Sequence, residues 1–99
     1  MRRTDILNVL RQHLPMLRER FGVRELAVFG STARDEASDR SDIDVLVTFE
    51  TGAHVGFFKL AELKDFLEGA LGMPVDLLTP ASLHPRIRDR VLKEAVRAG

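Results

Sequence analysis

VFGSTARDEASDRSDIDVLVTF, residues 28–49, carries two apolar runs on either side of a polar loop. Leu26-Ala27-Val28-Phe29 and Val45-Leu46-Val47-Thr48-Phe49 are rich in β-branched and aromatic residues and are bounded by turn-formers, so each reads as a strand. The first strand is expected over about Arg24–Phe29 and stops at Gly30. The second, Ile43–Phe49, is apolar on both faces beyond Asp44, which predicts a strand in the middle of a sheet. Side chains alternate across a strand, so Asp42 and Asp44 share a face while Ile43 takes the other, and the two carboxylates stand roughly 6–7 Å apart. At an effective dielectric near 20 they repel by roughly 2–3 kcal/mol. Hard divalent ions such as Mg²⁺ prefer carboxylate ligands, so the pair suggests a metal site. Gly30-Ser31 ends one strand and the aspartates open the other. Both ends must meet to form one site, so the two strands are expected to be antiparallel.

Gly30-Ser31, followed eleven residues after the serine by Asp42-x-Asp44 in an apolar strand, resembles the signature of the nucleotidyltransferase superfamily that includes DNA polymerase beta. The wording GSTAR…SDIDVLVTF, with the later Pro74-Val75-Asp76-Leu77-Leu78-Thr79, is similar to the minimal nucleotidyltransferases, short prokaryotic catalytic domains often paired with a HEPN-domain toxin. Asp76 taken alone reads as an edge-strand aspartate facing solvent, since an unpaired carboxylate is expensive to bury. A strand–helix–strand crossover makes the second and third strands parallel, which lets Asp76 face Asp42 and Asp44. The resemblance implies that these three form the superfamily's catalytic, metal-binding triad.

Ser31 falls at the start of a short helical segment within residues 33–37, where free amides and the helix dipole favour an anion. Glycine lets the backbone approach a triphosphate and the hydroxyl adds a donor, although a capped turn would use the same residues. Arg34 reads either as a phosphate partner or as a bridge to Asp35 or Glu36. Ser41 either orients a carboxylate or caps the turn. Members of the family often carry glycine where this chain has Asp35, a residue that tolerates left-handed backbone better than most.

The 99 residues predict one domain, spanning 1–99, with too little chain for a second substrate-binding module. An apolar share of 44% with 30% charged residues is that of an ordinary soluble globule. Fifteen basic and fifteen acidic residues cancel, leaving no global field to attract nucleic acid. The chain has no cysteine, which excludes a thiolate metal site and a disulfide framework and agrees with a cytoplasmic location. The N-terminal apolar run is too interrupted to span a membrane.

Ile6, Leu7, Leu10 and Leu14 follow helical spacing behind a cap at Thr4 or Asp5, with a kink or restart expected at Pro15, then Leu17 and Phe21 on the buried side and Gly22 as the end. His13 and His54 read as surface residues. An amphipathic helix is expected from about Val55 to Leu71, burying Val55, Leu60, Leu63, Phe66, Leu67, Ala70 and Leu71, an arc that cannot hold both Phe57 and Phe58. The third strand covers Pro74–Thr79. A last helix is expected from Ala81 or Ser82 to Ala98, burying Ile87, Val91, Leu92 and Ala95 opposite a basic stripe of Arg86, Arg90, Lys93 and Arg97, with Arg88 oddly among the apolar positions.

The fold expected is thus mixed α/β, a small three-stranded mixed sheet flanked by about four helices. The resemblance implies two Mg²⁺ ions on Asp42, Asp44 and Asp76, a nucleoside triphosphate held by Gly30, Ser31, Arg34 and Ser41, and transfer of AMP from ATP to a tyrosine of a cognate HEPN ribonuclease toxin, with which the chain would form a hetero-oligomer as its antitoxin. The rival readings are a stoichiometric toxin binder that needs no catalysis, and a nucleotidyltransferase acting on RNA ends or a small molecule.

Overall fold

The β-branched run of the second strand is buried on both sides, and the rest of the chain is layered around it. A computed structural model of the protein describes residues 1–36 and 41–99; Ala37, the end of the expected short helical segment, lies outside them. In chain order the elements are α1 (Arg3–Phe21), β1 (Val23–Val28), α2 (Gly30–Ala33), β2 (Ile43–Phe49), α3 (Phe57–Leu71), β3 (Val75–Leu78), a 3₁₀ turn (Pro80–Ser82), α4 (Pro85–Glu94) and β4 (Val96–Ala98). Among the described residues the sheet has four strands in the order β3-β2-β1-β4. β1 pairs antiparallel with β2, and β2 pairs parallel with β3, as the two-ended site and the helical crossover require.

The alternation of β2 divides the interior. Ile43, Val45 and Val47 join the main core with Leu10, Leu14, Leu17 and Phe21 of α1 and Leu63, Leu67 and Leu71 of α3. Leu46 faces the other way, into a smaller cluster with Ala27, Phe29, Leu83 and Val91. Asp44 shares the face of Leu46, and Asp76 lies between Val75 and Leu77, which face the main core, so period-2 alternation puts both aspartates on the thinly covered side of the sheet.

The class of fold agrees with expectation, but the strand count and several boundaries differ. The segment assigned from its periodicity to the end of the last helix turns into β4, which pairs antiparallel with β1 through Leu26–Ala98, Ala27–Arg97 and Val28–Val96. Helix α4 stops at Glu94 because Ala95 is already extended, and it starts late, at Pro85, a residue preorganised for a first helical position. Three residues are too short a strand to show a period; what recruits them is the hydrogen-bonding edge that β1 would otherwise leave open. In α4 only Val91 is buried, while Ile87 and Leu92 are exposed. Helix α1 runs unbroken through Pro15, which is exposed, so the Arg11 carbonyl deprived of its partner can meet water. Helix α3 begins at Phe57 rather than Val55, leaving Phe57 78% and Phe58 86% exposed. No helix among the described residues is long and apolar enough to cross a membrane.

Candidate active site

The ladder of the sheet carries straight into the site. Beyond the last paired residues of β1 and β2, the amide of Phe29 donates to the carbonyl of Asp44 at 3.1 Å, which brings the Gly30-Ser31 turn against the start of β2. Gly30 has φ +57°, in the left-handed region, and a Cβ built on it would lie 2.6 Å from Asp44 Oδ2. A side chain there would occupy the space of the carboxylate. On the other flank the parallel register sets Asp44 directly opposite Asp76 on β3, one strand spacing of about 4.8 Å away. Ile43 N donates to Pro74 O at 2.9 Å and fixes that register just ahead of the two aspartates.

The electrostatics follow from this crowding. Burial raises the pKa of Asp44, and the charges of Asp76 and then Asp42 raise it further; the Arg34 charge and a hydrogen bond from the Ser31 side chain act against them. The site therefore holds more negative charge than its own protein partners neutralise. Its donors are all carboxylate oxygens, the chemistry suited to a hard divalent cation. Asp42 and Asp76 are exposed and Asp44 is half-buried. Among the described residues no three His, Cys, Asp or Glu side chains are gathered closely enough to hold an ion as they stand. Like charges gain nothing by converging without a counter-ion.

Each predicted site residue has a definite place. Ser31 is half-buried in the first turn of α2, with its side chain hydrogen-bonded to Asp44. Ser41 is half-buried immediately before Asp42. Arg34, at the end of α2, forms bridges: Nε donates to Glu36 Oε2 at 3.1 Å and Nη1 to Glu94 of α4. The local partner was among those expected, whereas Glu94 lies sixty residues away and no pattern pointed to it. Asp35 is in the left-handed region with φ +58°, the conformation for which glycine is suited. Its carboxylate accepts the Arg3 amide at 2.8 Å, so it caps α1 across the fold.

Thr32 escaped the sequence reading. It is 1% exposed, the one buried polar side chain among the described residues, and its Oγ1 accepts the amide of Asp44 at 3.0 Å. The bond ties α2 to β2 at the residue that carries the central carboxylate. The available signal was a second hydroxyl directly after the Gly-Ser pair. The expected basic stripe is shorter by one residue, because Arg97 sits on β4 and pairs with Glu25 at 3.1 Å. Arg88 is partly buried and donates through Nη2 to Leu83 O at 3.2 Å.

A Gly-Ser turn packed on facing carboxylates at the open end of a mixed sheet suits phosphoryl transfer, in which positioning and charge neutralisation supply most of the catalysis. Residues 10–98 match the nucleotidyltransferase domain, and the chain belongs to that family. Within it the chain is a minimal nucleotidyltransferase of the protein adenylyltransferase class. The protein adenylyltransferase MntA of Thermococcus cleftensis is 47% identical over 92 residues, covering 93% of this chain and 91% of that one. A solved structure assigned as a minimal nucleotidyltransferase superposes with a TM-score of 0.78 at 42% identity, over 97% of this chain and 95% of the other. A toxin–antitoxin structure with AMP-PNP has the same fold, with a TM-score of 0.69 at 22% identity, over all of this chain and 73% of that chain.

Proposed function

We propose that the protein is an Mg²⁺-dependent adenylyltransferase that moves AMP from ATP to a tyrosine hydroxyl of a cognate HEPN ribonuclease toxin, and that it acts in the cytoplasm as the antitoxin. The observation that carries this reading is Asp44, set in register against Asp76 with the Gly30 backbone pressed on its carboxylate. The MntA relative supports AMP as the transferred group, and the toxin–antitoxin neighbour supports the kind of partner.

In the proposed reaction the acceptor oxygen attacks the α-phosphorus in line, the bond from that phosphorus to the oxygen bridging to the β-phosphorus breaks, and pyrophosphate leaves. Gly30 and Ser31 hold the β and γ phosphates, and Arg34 turns from its glutamate bridges to the phosphate oxygens. Thr32 fixes the backbone of Asp44 and Ser31 fixes its carboxylate, while Ser41 orients Asp42. Asp76, exposed on an edge strand, takes the proton of the incoming hydroxyl. Asp42, Asp44 and Asp76 would hold the Mg²⁺ ions, whose chemistry is to neutralise the triphosphate and acidify the acceptor hydroxyl.

The test is the intact mass of the HEPN partner after incubation with the protein, Mg²⁺ and each ribonucleoside triphosphate, beside the Asp42→Asn, Asp44→Asn form. Whole AMP units added only by the unsubstituted protein are expected. An unchanged mass with a silenced toxin would instead make the protein a stoichiometric binder, a reading favoured by one observation, the exposed edge-to-face pair Phe57–Phe58.

A further inference from the structure

A cleft of about 1080 Å³ opens beside Gly30 between α2 and α4. Gly30 and Arg34 line one wall, and Arg86, Arg90 and Lys93, spaced i, i+4, i+7 along α4, line the other. Those three side chains are exposed, and none of the ion pairs among the described residues uses them. The cleft's acids do not offset its cations: Asp89 and Glu94 stand against Arg34, Arg86, Arg90 and Lys93, an excess that holds whether Arg34 keeps its bridge to Glu94 or turns to phosphate. In a chain whose charges sum to zero, this is a local excess of positive charge touching the candidate phosphate site.

We infer that the α4 face of this cleft is a pyrophosphate subsite, in which Arg86, Arg90 and Lys93 bind the β and γ phosphates as they separate from the transferred group. The inference rests on the function proposed above, because in-line displacement puts the leaving group opposite the acceptor. A cleft that begins at Gly30, the end assigned to the β and γ phosphates, lies on the leaving-group side, so its cations meet pyrophosphate and not the acceptor. Arg34 stands at the junction, bridged through Glu94 to the end of the same helix.

Calorimetry with inorganic pyrophosphate, AMP-PNP and AMP, each in Mg²⁺ at low salt, tests the assignment on the full chain. The Arg86→Gln, Arg90→Gln, Lys93→Gln variant is compared with an equal loss of charge elsewhere, Arg11→Gln, Arg18→Gln, Lys64→Gln. Pyrophosphate and AMP-PNP should weaken by about tenfold or more in the α4 variant, while AMP and the control variant stay near the parent. If the triple variant does not fold, the three single variants give the same comparison with smaller losses. Pyrophosphate binding that is absent in the parent, unchanged in the α4 variant, or lost equally in the control overturns the inference. A protein that fails to transfer AMP yet loses pyrophosphate affinity in the α4 variant keeps the subsite and loses the proposed reaction. One that transfers AMP with indifferent pyrophosphate binding loses the subsite alone.

Discussion

Replacing Gly30 by alanine should separate the chemistry of the site from the stability of the fold. Two penalties meet there. The left-handed backbone, at φ +57°, costs a residue with a Cβ about 1–2 kcal/mol. The added Cβ would also stand 2.6 Å from Asp44 Oδ2, well inside van der Waals contact, so the carboxylate must turn away. Asp44 can relieve the clash by rotating, because the offending atom is the end of a side chain, but the rotation abandons the hydrogen bond from Ser31 and the alignment with Asp76. Gly52→Ala is the matched control: its φ is +87°, with nothing within 4 Å of the new Cβ. Any effect of alanine on the unfolded chain is common to both variants. Both should lose about 1–2 kcal/mol, or about 5–15 °C in melting temperature for a domain of this size. Only Gly30→Ala should lose AMP transfer, by about 100-fold or more, as expected when a reacting geometry shifts by about 1 Å. Circular dichroism melts and a Mg²⁺-ATP labelling assay run at a temperature where both variants are folded give the comparison. Equal activity in the two variants, or losses that simply follow their melting temperatures, would refute the claim that Gly30 shapes the site.

Thr32→Val keeps the shape of the side chain but leaves the Asp44 amide without its acceptor, so urea denaturation should show a loss of about 1–3 kcal/mol, and Thr32→Ser should restore most of it. The raised pKa of Asp44 means that its ionised form opposes folding of the metal-free protein: the folded state holds the proton more tightly than the unfolded one, and stability falls as pH rises through the interval above the ordinary carboxylate value of about 4. Asp44→Asn should therefore melt a few degrees above the parent at neutral pH in chelator, the gap should close as pH falls toward 4, and added Mg²⁺ should stabilise only the parent. A variant that melts lower at pH 7 would contradict the charge crowding. Asp35→Gly relieves the left-handed strain but removes the cap on α1, whereas Asp35→Ala loses both the tolerance and the cap; thermal melts should rank the parent and the glycine form within about 1 kcal/mol, with alanine lower by about 1–2 kcal/mol.

Which parts of the site were legible follows from the range of the interactions involved. Asp42 and Asp44 share a face because alternation is a property of the backbone over three residues, and the apolar run behind them reads as a central strand for the same reason. The parallel placement of Asp76 was legible because a helix of the length of α3 leaves few ways to return to the sheet. Thr32 was not, because a hydroxyl in GSTAR looks the same whether it meets water or the amide of Asp44, a partner twelve positions further along the chain. The same holds for Arg34, whose partner Glu94 sits where a periodicity reading places an ordinary surface carboxylate on a basic helix.

The sequence by itself determined the class of fold and the antiparallel and parallel pairings around β2, and it named the residues proposed to carry the chemistry, since each depends on local period, turn chemistry and the shortest connections. Only the tertiary structure decided that residues 96–98 leave the last helix to complete the sheet, that Asp35 caps a helix more than thirty residues away, and that α4 lines the cleft beside Gly30 with cations that no ion pair among the described residues uses. These depend on which hydrogen-bonding edges and charges remain unsatisfied once the core has closed, and that is set by the assembled chain and not by any window within it.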